Sequence, residues 1–239
     1  MSLTKSSGNL YDFVTHCHSH LRGACSHGCS YCFVQAIDRR FGSKHHSGVL
    51  RLEEKELSVK YGHSKTIFVE HTNDLFAKDV PIEWIRKISN HCCEFPDNTY
   101  VVQTKNPQRV YECQGYLPCG NVIIGTTIES DIFYPAIMGY APRPIDRARS
   151  MAVLRMTTGL KLFVTVEPIM EFTDALYNWL EFIEPDFVNI GADSKGNNLP
   201  EPSANKIQDL IVKLALAGIK VRQKHNLERL MIPNQQEAT

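Results

Sequence analysis

The sequence has no surplus charge of either sign: 26 Lys and Arg residues face 26 Asp and Glu residues. A chain so balanced has no overall field to draw in polyanions, so any nucleic-acid partner would have to be met by local basic patches. It has no apolar run near the roughly 18 residues that cross a bilayer, which argues against a membrane-spanning helix and a membrane partner. Repeats and low-complexity tracts are missing too, which argues against solenoids and disordered tails. The opening "MSLTKSSGNLYDF" lacks the apolar stretch of a secretory signal, and a cytoplasmic location is expected. In that reducing compartment the eight cysteines predict metal binding or catalysis rather than a disulfide framework.

What the sequence does contain is alternation. At 239 residues and 43% hydrophobic, the chain is long enough for one large core, and a single domain over residues 1–239 is expected. Short β-branched runs recur at 10–16, 65–71, 99–104, 121–127, 160–167, 186–192 and 218–223. Nearly continuous apolar runs of this length read as parallel strands covered on both faces. Segments of helical spacing lie between them, one opening at Pro81, one ending at Gly159, one starting near Asp174 and one running from Ser203 to Gly218. Strand then helix, repeated, predicts a parallel α/β architecture. An open doubly wound sheet would give the same pattern. Polar residues at the C-terminal end of almost every run favour a complete or partial (β/α) TIM-type barrel, in which those ends converge on one mouth.

The densest chemistry is "GACSHGCSYCF" at 23–33, where Cys25, Cys29 and Cys32 are spaced C-x3-C-x2-C just after the first predicted strand. Thiolates select soft centres, so iron–sulfur and zinc are the candidates. A structural zinc site wants four protein ligands, often as two separated pairs. Three cysteines instead suit a cubane with one iron left open. His16, His18, His20 and His27 flank the loop and offer a fourth zinc ligand, but such histidines are more often exposed loop residues. Cys17 is either a buried free thiol or a hydrogen-atom donor at the mouth. Cys92, Cys93, Cys113 and Cys119 are expected to be structural, on the face away from the mouth.

The spacing, with Tyr31 just before the last cysteine and the whole motif after the first strand of a βα repeat, resembles the signature of the radical S-adenosylmethionine (SAM) enzymes. The later blocks "FVEHTNDLF", "VVQTKNPQRV", "NVIIGTTIES", "VTVEPIM" and "VNIGADSKG" resemble a phage-associated family of uncharacterised radical SAM proteins. Their order resembles, more faintly, that of the spore photoproduct lyases, DNA-repair members of the superfamily. The resemblance implies a [4Fe–4S] cluster held by Cys25, Cys29 and Cys32, with SAM on the open iron and Tyr31 near its adenine. It implies Lys105 at the SAM carboxylate, Thr127 at its ribose or amino-acid end, and Asp74 in the segment that takes the methionyl amine. "EHTND" stands where many members have "GGE", so Glu70, Asn73 and Asp74 share that expectation, and Asp193 joins the cofactor set. Glu129 and Glu167 are expected at cofactor or substrate, or in an ion pair across the mouth.

The implied activity is hydrogen abstraction by a 5′-deoxyadenosyl radical from a nucleobase, nucleotide or DNA substrate, with an external one-electron reductant of flavodoxin or ferredoxin type. A peptide or small-molecule substrate and a zinc-binding module without turnover are the alternatives. Basic residues gather in three segments after predicted strands: Arg39, Arg40 and Lys44; Arg143, Arg147 and Arg149; and Arg222, Lys224 and Arg229. These predict a polyanion track across the mouth, with Arg143, Arg147, Arg222 and Lys224 as its main contacts.

Overall fold

The computed structural model describes residues 3–42 and 47–231. Its ten strands are β1 (Thr4–Lys5), β2 (His16–His18), β3 (Leu21–Arg22), β4 (Arg51–Leu52), β5 (Thr66–Val69), β6 (Thr99–Thr104), β7 (Asn121–Thr127), β8 (Lys161–Val166), β9 (Phe187–Ile190) and β10 (Val221–Gln223). Eight of them form one sheet in the order β1-β2-β5-β6-β7-β8-β9-β10, while β3 and β4 pair separately as a short antiparallel ribbon. From β2 to β10 every pairing in the large sheet is parallel, and β1 is an antiparallel edge on β2.

The helices are α1 (Phe33–Phe41), α2 (Ile82–Cys93), α3 (Pro107–Glu112), α4 (Pro135–Met138), α5 (Pro144–Thr157), α6 (Asp174–Ile183), α7 (Ala204–Leu216) and α8 (Glu228–Met231). Their boundaries follow local chemistry. Pro144 opens α5, where its missing N–H costs nothing. Thr173 caps α6 by accepting from the Ala175 N–H, and Ser203 caps α7 by accepting from that of Lys206.

The parallel sheet has two differently covered faces. Ile67, Tyr100, Val102, Ile124, Leu162, Val164 and Val188 point outward into a core shared with Ile85, Ile88, Met151, Leu176 and Leu210 from the helices. The alternate residues Phe68, Val101, Phe163 and Phe187 point to the inner face and pack with Tyr11 and Val14. Burial on both faces is why these strands read as continuous apolar runs.

The first predicted strand is placed differently. Only His16–His18 pair with β5, and residues 9–14 instead lay their aromatic side chains across the inner face. Tyr11 packs on Phe68 and Phe163 at ring-centroid distances of 6.0 and 5.5 Å. Arg222, on the opposite edge strand β10, sits 4.7 Å from the Phe13 ring. The two edges of the sheet are thus bridged by this segment's side chains.

Cys93, at the end of α2, and Cys119, before β7, were expected to be structural and form a disulfide, the bond that the cysteine count had been read against. Both lie at the N-terminal ends of the strands, where α2 and the loop entering β7 meet. Cys92 and Cys113 are buried and unbridged.

Candidate active site

The C-terminal ends of the parallel strands carry the polar residues, and the cysteine loop lies over that end. It leaves β3 through Gly23, whose φ of 96° is the left-handed region, and a Cβ there would lie 2.3 Å from the Val49 carbonyl oxygen. Cys32 then stands at the N-cap of α1. Across the loop, residues 134–140 act as a cradle. Ser30 N–H donates to Ile137 O, Tyr140 N–H donates to His27 O at 2.7 Å, and the Cys29 thiol donates to Met138 O. Gly139 permits that contact, since a Cβ on it would lie 2.2 Å from His27 O.

Cys29 is buried, and Cys25 and Cys32 are half-buried. Burial pushes the Cys25 thiol up to about 12, and the charge of Asp74 and the neighbouring Cys29 and Cys32 add to the shift. Cys29 is raised as well, chiefly by burial. Three thiols near enough to oppose one another's ionisation favour a positively charged centre between them. Among the described residues, no three His, Cys, Asp or Glu side chains converge as they would on a single ion.

Beneath the loop lies a polar quartet, with Glu129 and Arg147 fully buried and Tyr31 and Lys105 half-buried. The Tyr31 hydroxyl donates to Glu129 Oε1, Lys105 Nζ stands 3.5 Å from that oxygen, and Arg147 Nη1 lies 2.8 Å from Oε2. Lys105 Nζ also lies 5.3 Å from the Tyr31 ring centroid, and Arg147 donates to Thr127 O. Burial alone would raise the Glu129 carboxyl; Arg147, then Lys105 and Tyr31, outweigh it and hold it below the usual carboxylate range. Glu129 thus makes an ion pair at the mouth, one of the two roles expected for it.

Arg147 was expected on a polyanion track, and the structure corrects that. It is wholly buried, because it shares the inward stripe of α5 with Pro144, Ala148 and Met151. Lys224 is also engaged, 2.7 Å from Glu167 Oε2, and Asn226 and Asn9 amides donate to Glu167 Oε1. Arg222 stacks 4.2 Å from the Phe187 ring centroid, and Arg229 pairs with Glu201. Arg143 is exposed and pairs with Asp146. Lys44 lies outside the described residues. Of the track's cations, Arg147, Arg222 and Lys224 are thus internal braces, while Arg39, Arg40, Arg143, Arg149 and Arg229 are exposed.

The "EHTND" segment is engaged with the protein as well. Glu70 is buried and accepts from the backbone N–H of His20 and Leu21 and from the His20 ring. Asn73 donates to Gly23 O. Asp74 Oδ2 accepts from the Lys105 N–H at 2.8 Å and contacts His27 Nε2 at 2.7 Å. Burial opposes ionisation of Asp74, but His27 and the Lys105 N–H hold it below its usual range. This short segment therefore fastens the cysteine loop at its entry, its first turn and its middle. Asp193 likewise braces its own loop, accepting from Lys195 N–H and the Asn197 amide. It lines a cavity of about 770 Å³ with Glu201, Asn226, Glu228 and Arg229, apart from the cysteine loop.

The inner face supplies the remaining polar groups. Gln103 donates to Thr127 Oγ1 at 2.8 Å, and the Tyr11 hydroxyl meets Gln103 Oε1 at 2.5 Å and Thr165 Oγ1 at 2.7 Å. Cys17 is in register with Phe68 on this face, and burial pushes its thiol up to about 11. Tyr11 was not singled out from the sequence, and His27 was read only as a possible zinc ligand, not as the partner of Asp74. Nor were the flanking histidines read as buried, yet His18, His20 and His27 all are. Alternation in His16-Cys17-His18-Ser19-His20 was the available signal.

Residues 10–200 match the profile of a family described as a protein of unknown function, DUF5131. The chain belongs to the DUF5131 family. No curated protein matches it. Among solved structures, a spore photoproduct lyase variant with bound AdoMet and dinucleoside spore photoproduct is similar. Its TM-score is 0.57 at 14% identity, over 90% of this chain and 78% of that one. Spore photoproduct lyase complexed with dinucleoside spore photoproduct gives 0.57 and 14%, over 92% and 80%. At that identity the likeness establishes a shared fold. This DUF5131 chain thus has a mixed α/β architecture built on a mostly parallel sheet, as the sequence predicted; the ends of that sheet, β1 and β10, are edges bridged by side chains. No helix among the described residues is long and apolar enough to cross a membrane.

Proposed function

We propose that this DUF5131 protein is a radical SAM enzyme, with Cys25, Cys29 and Cys32 holding a [4Fe–4S] cluster and a nucleobase-bearing molecule as substrate. The observation that carries the reading is the cysteine loop itself. It is three thiols in one loop, clamped over the C-terminal ends of a parallel sheet by Asp74 through His27 and by the 134–140 cradle. The donor set fits the group. Each cysteine of a cubane binds a different iron, so the three thiols need not meet at one point, and thiolates are the ligands such clusters use.

When bound, cluster and SAM supply a one-electron cleavage that yields a 5′-deoxyadenosyl radical. The chain's own residues have the tasks of binding and orientation. Lys105 carries a compact ammonium suited to a carboxylate, and its partner Glu129 is already neutralised by Arg147, leaving it able to turn toward a second anion. Tyr31, fixed through its hydroxyl to Glu129, presents its ring beside the loop for a flat group to lie on. Thr127 and Gln103 offer hydrogen-bonding groups on the inner face, and the rings of Tyr11, Phe163 and Phe68 close that face below them.

A nucleobase-bearing substrate is supported by the dinucleoside ligand of the similar structures. The internal pairing of Arg147 and Lys224, two of the four cations expected to contact a polyanion, favours a short substrate over a long polyanion laid across the mouth. The test is anaerobic reconstitution followed by reduction with dithionite in the presence of SAM. The expected protein is brown, absorbs near roughly 400 nm, and forms 5′-deoxyadenosine. A colourless protein that binds one zinc and leaves SAM intact would refute the reading.

A further inference from the structure

Outside the quartet, the buried polar groups concentrate between the end of β2, α2 and the residue that follows β5. His20 is fully buried, with Glu70, His91 and Tyr61 around it. Its Nδ1 lies 2.6 Å from Glu70 Oε1, and its Nε2 lies 2.9 Å from His91 Nδ1 and 3.1 Å from the Tyr61 hydroxyl. His91 Nε2 lies 2.8 Å from the Val59 carbonyl oxygen. His18 packs edge-on to His20 at 4.6 Å and directs its Nε2 to Glu56 O.

Hydrogen-bond accounting assigns the protons. A carbonyl oxygen only accepts, so His91 Nε2 must carry a hydrogen, and in a neutral His91 the Nδ1 is then an acceptor. Two facing lone pairs at 2.9 Å would repel, so the hydrogen between the rings belongs to His20 Nε2. His20 Nδ1 faces a carboxylate that already accepts two backbone N–H groups, and it must donate too. Both nitrogens of His20 are therefore protonated, and its charge rests against Glu70. The alternative, a charged His91 beside a neutral His20, would leave the cation away from the carboxylate. Burial also lowers His91.

We infer that His20 is a buried imidazolium locked to Glu70, and that the pair are positioning residues which set the entry of the cysteine loop. Glu70 has a left-handed φ of 58°, a costly conformation for a residue with a side chain, and the three hydrogen bonds it accepts from His20 and Leu21 hold it there. Leu21 begins the ribbon that leads into Gly23 and the cysteines. The other titratable groups facing the pair are Glu56 and His18, Tyr61, and Cys92 and Glu94 of the α2 end. The inference concerns the loop's scaffold and holds whatever the cysteines bind.

Nitrogen-15 NMR of the histidine rings in the metal-free, reduced full chain at pH 8 reads the charge directly. The His20 signal is identified by its loss in His20→Gln or by its through-space contacts to Tyr61. Two protonated nitrogens are expected, and one unprotonated nitrogen would overturn the assignment. Positioning is read from iodoacetamide alkylation of Cys25, Cys29 and Cys32, resolved by peptide mass spectrometry. Glu70→Gln should raise the rate about tenfold, and a rate equal to wild type would overturn it. Should that variant not fold, His91→Gln keeps an acceptor toward His20 and a donor toward Val59, whereas His91→Leu keeps neither. The first should alkylate like wild type and the second faster; equal rates in the two would overturn the positioning role.

Discussion

At the scale of single residues, the quartet under the cysteine loop separates what a side chain is from what it is free to do. Arg147 and Glu129 are both fully buried, and breaking such a pair leaves an uncompensated charge. Arg147→Ala should therefore lower unfolding stability by about 3–5 kcal/mol, measured by denaturant titration, whereas exposed Arg143→Ala should change it by under about 0.5 kcal/mol. Lys105 is half-buried, and its pairing with Glu129 is looser at 3.5 Å. Its replacement by Ala should leave iron content unchanged and weaken SAM binding about tenfold in equilibrium dialysis, the worth of one charge-assisted hydrogen bond. Cys29→Ala should leave a folded protein with less iron than wild type, because the core lies in the sheet and helices and not in the loop.

At the scale of elements, the sequence disclosed the parallel strands because burial on both faces leaves consecutive apolar residues, Tyr100–Val102 and Leu162–Val164, at their centres. It also disclosed the cysteine loop, where residue type and spacing are themselves the chemistry. The first strand was misjudged for a physical reason. "LYDFVTH" has the alternation of a strand, but its aromatic positions serve the inner face, and the ladder begins only at its last residue, His16. The roles of "EHTND" and of Arg147 were not legible either, since charge in a sequence does not reveal which groups become partners on folding. Packing against the inner face gives an element-scale prediction. A Cβ at Gly125 of β7 would meet the Phe163 ring at 2.1 Å, and that ring is itself stacked on Phe187 at 5.2 Å. Gly125→Ala should cost about 1–3 kcal/mol in thermal or denaturant unfolding.

At the scale of the whole molecule, one broad consequence of the buried histidines is a dependence of stability on acid. Burial, with the neighbouring His20 charge, depresses His18 from 6.5 to about 4, and burial lowers His91 in the same direction. The unfolded chain therefore takes up these protons first as pH falls. Stability should be unaffected by these groups above about pH 6.5 and be lost between pH 6.5 and 4, by about 2–3 kcal/mol from His18. Melting temperatures across that range would show the decline, and His18→Gln should flatten it. The proposed role of the mouth of the sheet is to hold a cluster and SAM. The most direct measurement is the iron, sulfide and 5′-deoxyadenosine content of anaerobically reconstituted wild-type protein after one reduction with SAM. About four irons and four sulfides per chain with 5′-deoxyadenosine formed is the predicted result; a single zinc per chain, no sulfide and unchanged SAM would contradict it.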